Sequence, residues 1–221
     1  MANQIATVNG IEIADIANIN GITDDNLAKL NGREFTGFVP VEAHTLIATA
    51  TASASATLEF TSGINSPYDA YEFRFENMHP ATDSTHFQFQ VNAVGQTGFN
   101  EVMTTTFFWA YQNEAGNSTS LQYVTAYDQA QGTAYQTLGV YAGNDNDQST
   151  SGVLTLYAPS STTYVKHFTA KTNTYYVADY SMNNHTAGYI NTTAAIDEIS
   201  FAMSSGNIDA GQIKMYGIAK A

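Results

Sequence analysis

Apolar and polar side chains alternate with a period of two through most of the chain after residue 44, and this constrains the fold more than any other feature. In YEFRFE (residues 71–76) the aromatic residues hold the odd positions and the charged residues the even ones, and THFQFQVNA (residues 85–93) repeats the arrangement. Turn clusters such as GNDNDQSTSG and NNHTAG separate about ten or eleven such segments. The pattern predicts a mainly β chain, folded as an antiparallel β-sandwich or jelly roll.

An alanine-rich run follows residue 44. In TLIATATASASATLEF (residues 45–60) alanine alternates with threonine and serine, and Leu46, Leu58 and Phe60 share the alanine parity. The alternation predicts one strand whose apolar face is built mostly from small side chains. An irregular Ala/Thr/Ser linker is the alternative interpretation.

The amino-terminal part carries Asn-Gly three times, at Asn9-Gly10, Asn20-Gly21 and Asn31-Gly32, with an interval of eleven residues. The first pair lies in TVNGIEI, which predicts a two-residue hairpin turn between short strands. The isoleucines of residues 13–19 recur at every third position, which predicts a short helix ended by the second pair. Thr23 is predicted to cap a second short helix, which the third pair ends.

Helices of one or two turns are unstable alone in water, so these apolar residues need a surface to lie on. We therefore predict an arm over residues 1–43, with Pro40 near its end, and a β-sandwich domain over residues 44–221. A right-handed coiled coil also has an eleven-residue period, but a glycine in every repeat argues against a continuous helix. The residues predicted to contact a partner are Ile11, Ile13, Ile16, Ile19, Ile22, Leu27 and Leu30.

Charge and composition narrow the class of partner. The 221 residues include seven Lys plus Arg and twenty Asp plus Glu, for a net charge of −13. We expect no nucleic-acid partner and no anionic membrane partner, because no basic cluster exists to bind either. The absence of cysteine excludes disulfides and thiolate metal sites. The first residues show no secretory signal, and no apolar run approaches the length of a membrane span.

The strongest catalytic candidate is the pair Glu72 and Glu76, which share a strand face with Arg74 between them. Hydrolysis of glycosides needs two carboxyl groups of which one has a raised pKa, and a cation between them lowers the pKa of both. An ion ladder on one face of the strand is therefore the preferred interpretation. No nucleophile elbow and no phosphate-binding loop occurs, so we predict a protein that is not an enzyme.

Metal sites have little support in the sequence. The histidines at positions 44, 79, 86, 167 and 185 are scattered, and a zinc site needs three or four convergent ligands. Asp145 and Asp147 have the alternating spacing of a calcium loop, but Thr150 and Leu156 stand where such a loop has glycine and glutamate. We expect no cofactor, and Asp145 and Asp147 stay as weak calcium candidates beside the alternative of a turn-rich hairpin loop.

Aromatic side chains are the remaining candidates for ligand binding. Trp109 is the single tryptophan, and it shares the parity of Phe107 and Tyr111, whereas Phe108 points the other way. Sugar-binding sandwiches stack sugar rings on exposed Trp or Tyr side chains, so Trp109 and Tyr111 are candidate ligand-binding residues. With both faces apolar, however, this strand is predicted first to be central and buried.

Two segments, VNGIEIADIANINGI at the front and IDEISFAMSSGNIDAGQIKMYGIAKA at the back, resemble structural proteins of tailed bacteriophages, particularly those of marine and cyanobacterial hosts. The front segment resembles the opening of many such proteins. The back segment is similar to the closing hairpin of phage virion sandwich domains. There a Gly-x-Ile-x-Leu-Tyr-Gly-Ile strand ends the fold. Here that strand consists of Gly211, Ile213, Lys214, Met215, Tyr216, Gly217 and Ile218, with Met215 in the usual leucine place.

The resemblance implies a concanavalin-like or jelly-roll sandwich that forms part of a virion and is commonly trimeric. It implies a location in the virion, in head decoration, tail or fibre, with other virion proteins and further copies of the chain as partners. We expect a non-enzymatic structural protein anchored by its arm. The alternative is a lectin-like module that binds a glycan of the host surface.

Overall fold

The computed structural model describes residues 44–65 and 67–219, with only the backbone at residue 219, and the backbone of six two-residue strands between residues 7 and 34. The chain divides into two compact units, residues 1–42 and residues 43–221. This division lies one residue from the boundary placed by composition.

The six two-residue strands form three antiparallel pairs in the first unit. Val8 pairs with Ile11, Ile19 with Ile22, and Leu30 with Arg33, so one Asn-Gly pair separates the two strands of each hairpin in the sequence. Asn-Gly is the preferred sequence of two-residue hairpin loops, because both residues tolerate positive φ. The strands are β1 (Thr7–Val8), β2 (Ile11–Glu12), β3 (Asn18–Ile19), β4 (Ile22–Thr23), β5 (Lys29–Leu30) and β6 (Arg33–Glu34).

The hairpin predicted at the first Asn-Gly pair is present, but the two helices predicted beyond it are not supported. Strands stand at Asn18–Ile19 and Lys29–Leu30, where each helix was expected to end. Strands pair across all three Asn-Gly positions. At the first two, the β-branched neighbours Val8, Ile11, Ile19 and Ile22 favour strands over very short helices. Residues 13–17 and 24–28, the middle of both predicted helices, lie outside the described residues.

The second unit is mainly β, with every strand pairing antiparallel. Apart from the strands, its regular structure in the described residues is a 3₁₀ turn at Thr125–Tyr127. The thirteen strands are β7 (His44–Thr51), β8 (Thr57–Phe60), β9 (Tyr68–Pro80), β10 (Thr85–Ala93), β11 (Met103–Asn113), β12 (Thr119–Tyr123), β13 (Ala130–Gly132), β14 (Gln136–Ala142), β15 (Thr150–Tyr157), β16 (Lys166–Tyr176), β17 (Tyr180–Ile190), β18 (Ile196–Met203) and β19 (Ile208–Ala219).

These strands form two layers of a barrel-like sandwich. The long sheet has the order β7-β19-β9-β15-β16-β17-β11, with β12 and β13 both paired to β11 at its far margin. The short sheet has the order β14-β10-β18-β8. One residue pair, Ala142 with Tyr176, joins the sheets at one side, and a bridge between Ser55 and Ile208 joins them at the other. The sandwich is therefore nearly closed, and the predicted β-sandwich architecture is confirmed.

Aromatic side chains from both sheets meet in the core. Phe73 and Phe75 of the long sheet contact Phe201 of the short sheet with ring centroids 5.6 and 5.2 Å apart. Phe201 also contacts Phe60, Phe87 and Phe89, and it is fully buried. Each such side chain contributes about 1.5–3 kcal/mol by its burial. The alternating phenylalanines recognised in the sequence thus form the centre of the fold.

The free edge of β14 is sealed by hydroxyl groups from the long sheet. Beyond its single residue pair with β16, this edge has no strand partner in the described part of the chain. The Thr172 hydroxyl donates to the Leu138 carbonyl at 2.6 Å, and the Thr186 hydroxyl donates to the Thr137 carbonyl at 3.2 Å. Both threonines are buried. A buried carbonyl without a donor is destabilising, which explains why polar residues stand at these core positions.

The alanine-rich run is only partly the strand that its pattern predicts. Ala48 and Ala50 pack against the core as expected, but Leu46 is 51% exposed. A register shift between β7 and β19 turns Ile47 inward in its place. The strand also ends at Thr51, and β8 begins only at Thr57. The bulge reverses the parity that a continuous strand would have had.

Candidate functional site

Strand β11 places three aromatic side chains on the inner face of the long sheet, where they join a larger group. Trp109 lies 6.2 Å from Phe107, 6.4 Å from Tyr111 and 5.8 Å from Tyr127, measured between ring centroids. Most contacts are edge-to-face, the geometry that aromatic quadrupoles favour. We call this group the aromatic cluster; it consists of Phe107, Trp109, Tyr111, Tyr127, Tyr141, Tyr176, Tyr180 and His86.

Trp109 is half-buried and fixed in place by a neighbouring strand. Its register partner on β12 is Gln122, and the indole Nε1 donates to Gln122 Oε1 at 3.1 Å. Tyr111 is also half-buried, whereas Phe107 is fully buried. The cluster therefore has a buried base and a partly exposed side, and both predicted ligand-binding residues lie in it.

The prediction that this strand is buried on both faces is wrong. Phe108 points to the outer face of the long sheet and is 40% exposed. Its ring stacks on the His185 imidazole, with centroids 4.7 Å apart. Among the described residues of this unit, β14 and the 3₁₀ turn cover the inner face, and no second layer covers the outer face.

Burial disfavours the charged forms of two members of the aromatic cluster, Tyr127 and His86. Burial and a hydrogen bond with Tyr141 raise the pKa of Tyr127 above its ordinary value. Burial lowers the pKa of His86, whose Nδ1 accepts a hydrogen bond from the Tyr141 backbone N–H at 3.1 Å. An uncharged aromatic surface with phenol and amide groups at its edge is suited to stacking on the flat, apolar side of a neutral ligand, such as a sugar ring.

The candidate carboxyl pair forms ion pairs on the outer face of β9. Arg74 Nε donates to Glu72 Oε1, and the Arg74 guanidinium lies 4.6 Å from the Tyr216 ring centre. Glu76 accepts hydrogen bonds from Lys214 Nζ at 2.7 Å and from Gln212 Nε2 at 2.7 Å. The Lys214 ammonium lowers the pKa of Glu76. The preferred interpretation, an ion ladder on one face, agrees with these contacts, with Lys214 as a cation that the β9 sequence did not indicate.

A polar cleft of about 820 Å³ opens beside this ladder. Glu76, His79, Asp147 and Asp209 are among its lining residues, and two bulged positions shape it: Asn77 with φ of +53° and Gly211 with φ of +111°. Bulges of this kind turn neighbouring side chains toward a cleft.

The calcium candidates do not come together in this cleft. Asp147 lines it, but Asp145 does not. The Asp145 backbone N–H instead donates to Gln148 Oε1, as expected for a hairpin loop. Among the described residues, no three acidic or histidine side chains converge as metal ligands would.

The predicted partner-contact residues of the arm belong to the first unit. Ile11, Ile19, Ile22 and Leu30 lie on its two-residue strands, and only their backbone is described. Ile13, Ile16 and Leu27 lie outside the described residues.

The sequence did not identify most of the aromatic cluster. Tyr127, Tyr141, Tyr176 and Tyr180 come from different elements and meet because β14 and the 3₁₀ turn pack on the inner face of the neighbouring strands β16, β17 and β11. The one signal was the abundance of tyrosine, fourteen in the chain, many of them at strand ends.

Two further observations bear on the class of protein. In the part of the chain that the structure covers, no helix has the length and apolar character needed to cross a membrane. No protein-family model matches the chain, and no curated protein matches it significantly.

Proposed function

We propose that this chain is a non-enzymatic structural protein of a tailed-bacteriophage virion, on the particle exterior as a head-decoration, tail or fibre component. Residues 1–43 attach it to neighbouring virion proteins, and residues 44–221 form a jelly-roll or concanavalin-like domain that faces outward. The observation that carries the proposal is the division into two units, a repeat of three minimal hairpins and a sandwich with its own core.

Two-residue strands form hairpins that are marginal in isolation, because each buries little apolar surface. The core cluster of the sandwich runs from Ala52 to Met215 and is already well packed. The segment at the front of the chain is rich in isoleucine and leucine, and it gains most stability by burying these side chains against another protein. The resemblance of both ends of the chain to phage virion proteins supports the same assignment, including a homo-oligomer, with a trimer favoured.

The charge of the chain is also suited to an exposed particle surface. A net charge of −13 with few cations keeps copies soluble and opposes non-specific contact with nucleic acid. The ion pairs on β9 satisfy both carboxylates of the strongest catalytic candidate, which supports a structural rather than a catalytic use of this strand.

Attachment is tested with particles that carry a tagged chain in place of the native one. A variant lacking residues 1–43 should keep the far-UV circular dichroism of a β domain but be lost from particles purified on a density gradient. A matched variant with Ile11→Asp, Ile19→Asp and Leu30→Asp should be lost as well, and Tyr164→Ala, in an exposed loop, should be incorporated normally. Normal incorporation of the truncated chain would overturn the proposal.

The aromatic cluster favours a second function, recognition of a host-surface glycan. Trp109 is the single tryptophan, so a ligand that stacks on it should change the intrinsic emission of the protein. Titration with host polysaccharide should show saturable binding that Trp109→Ala and Tyr111→Ala weaken at least about tenfold. Stacking of a nucleic-acid base on an aromatic side chain is worth about 1–3 kcal/mol, and we take the same order for a sugar ring. Tyr164→Ala is the control. Unchanged emission with every glycan of an array refutes this second function.

A further inference from the structure

Four neighbouring strands of the long sheet contain no acidic residue. The strands β11, β12, β16 and β17 lack Asp and Glu throughout, although the chain has twenty acidic residues. Their alternate residues point away from the core and form one continuous outer surface, which we call the neutral face. Its central side chains are Thr106, Phe108, Leu121, Tyr123, Lys171 and His185.

The neutral face is apolar at its centre and unusually exposed there. Strand register places Tyr123 beside Phe108, Phe108 beside His185, and His185 beside Lys171, in one row across the sheet. Leu121 is 73% exposed, Tyr123 56% and Phe108 40%. Large apolar side chains that are exposed next to one another often mark an interaction surface, whereas single exposed apolar side chains are common on any protein.

In the described residues, acidic side chains border this surface but do not stand on its four strands. Asp128, which follows the 3₁₀ turn, accepts a hydrogen bond from the hydroxyl of Tyr123 on β12. Glu114 and Asp179 stand in the turns at one end, where both accept hydrogen bonds from the Tyr175 hydroxyl, which raises the pKa of Tyr175 to about 12. A centre depleted in charge within a polar rim is the usual anatomy of a protein–protein interface. The neutral face has this anatomy, with Lys171 as the one exposed lysine on its strands.

The margin of the neutral face is also an open sheet edge. In the described part of the chain, β12 pairs with β11 alone, so its other edge presents unpaired backbone groups. Exposed apolar edge strands without lysine or proline favour pairing with another chain. Strand β12, TSLQY, has neither residue.

The size of the neutral face is sufficient for association. Three strands of eleven residues and one of five, at about 3.3 Å per residue and about 4.8 Å between strands, cover on the order of 600 Å². Two such surfaces together approach the lower limit of about 1,200 Å² for specific, stable interfaces.

Charge identifies the occupant. A polyanion needs several cations, and this face offers Lys171 with two histidines. A basic protein would prefer the acidic surfaces elsewhere on the molecule. Two copies of this chain, each with a net charge of −13, repel one another across most of their surface. We infer that the neutral face is where copies of this chain contact one another, since here they approach without facing carboxylates.

The test is the mass of the full chain in solution, by size-exclusion chromatography with light scattering over a range of concentrations. The wild type should have a mass of two or more whole multiples of the 23.8 kDa chain mass. Thr106→Glu and Leu121→Glu should each raise the dissociation constant at least about tenfold, because each buries a new carboxylate in every contact. Thr106→Gln, of similar size but uncharged, should associate as the wild type does.

Thr57→Glu is the control for charge alone, because Thr57 is an exposed threonine on β8 of the other sheet. It should leave the dissociation constant within twofold of wild type. A monomeric wild-type chain overturns the inference, since another protein would then have to cover the face. The inference is also overturned if Thr106→Glu and Leu121→Glu associate as the wild type does. It is overturned as well if Thr57→Glu raises the dissociation constant as much as those two variants do. None of these outcomes depends on whether the protein belongs to a virion.

Discussion

Replacing Thr172 with valine removes the hydroxyl that donates to the Leu138 carbonyl at the free edge of β14. Valine has nearly the same shape, so packing is preserved and the lost hydrogen bond is isolated. The same hydroxyl accepts a bond from Asn184 Nδ2, but that amide keeps Thr174 and the Met182 carbonyl as partners. The variant therefore leaves one buried group, the Leu138 carbonyl, without a donor.

A buried acceptor left unsatisfied costs about 1–3 kcal/mol. We expect Thr172→Val to lower the free energy of unfolding by about 2 kcal/mol. With a urea slope of about 2.5 kcal/mol/M, the unfolding midpoint should fall by about 0.8 M at unchanged slope. The transition is followed by the emission of Trp109, the single tryptophan, and by far-UV circular dichroism.

Thr51→Val is the matched control, because Thr51 is exposed on β7. It should change the free energy of unfolding by less than about 0.5 kcal/mol. If Thr172→Val shifts the midpoint no more than Thr51→Val does, then water or a relaxed backbone satisfies Leu138, and the proposed role of the threonines is refuted.

Three further perturbations test other parts of the fold. Phe201→Ala should lower the free energy of unfolding in urea by about 4–5 kcal/mol, because it removes the ring that contacts five other core phenylalanines. Phe201→Leu should lower it far less. Gly211→Ala should lower the melting temperature, since φ is +111° and a Cβ would lie 2.4 Å from the Asn77 carbonyl oxygen; wild-type melting would contradict this. Burial lowers the pKa of His86, so the unfolded chain binds more protons below its ordinary pKa of 6.5. Stability should fall as pH drops through 6.5 toward the lower folded-state pKa, and His86→Gln should flatten this slope, which urea titrations at several pH values measure.

The alternation of apolar and polar residues was sufficient to predict which side chains are buried wherever a strand is regular. The alternation of Phe73 and Phe75 with charged residues placed them correctly in the core, because one face of β9 meets the short sheet. It failed at Leu46, because a single bulge at Ile47 exchanges the two faces, and nothing in the alternating residues announces a bulge. The same limit applied to Phe108, whose exposure depends on which face of the long sheet the short sheet covers.

The candidate site was predictable only through its most conspicuous members. Trp109 and Tyr111 could be selected from one strand, but Tyr141 and Tyr176 reach them through long-range pairing that sequence spacing does not encode. The neutral face is a similar case. The absence of acidic residues from one strand is unremarkable, and the surface forms only because β16, β17, β11 and β12 are neighbours in the sheet. The hairpins at the front show the opposite case. The same turn sequence, Asn-Gly, stands at all three positions, but a hairpin was predicted at the first alone.

The shared register of those hairpins determines how the segment can change in length. Residue pairs Thr7–Glu12, Asn18–Thr23 and Lys29–Glu34 recur with an offset of eleven positions. Deleting or duplicating eleven residues keeps the spacing of eleven between equivalent positions of successive hairpins. Deleting ten residues changes that spacing between the hairpins before the deletion and those after it. The segment should therefore vary in whole steps of eleven, and its reach would be adjusted by the number of repeats while the sandwich stays unchanged.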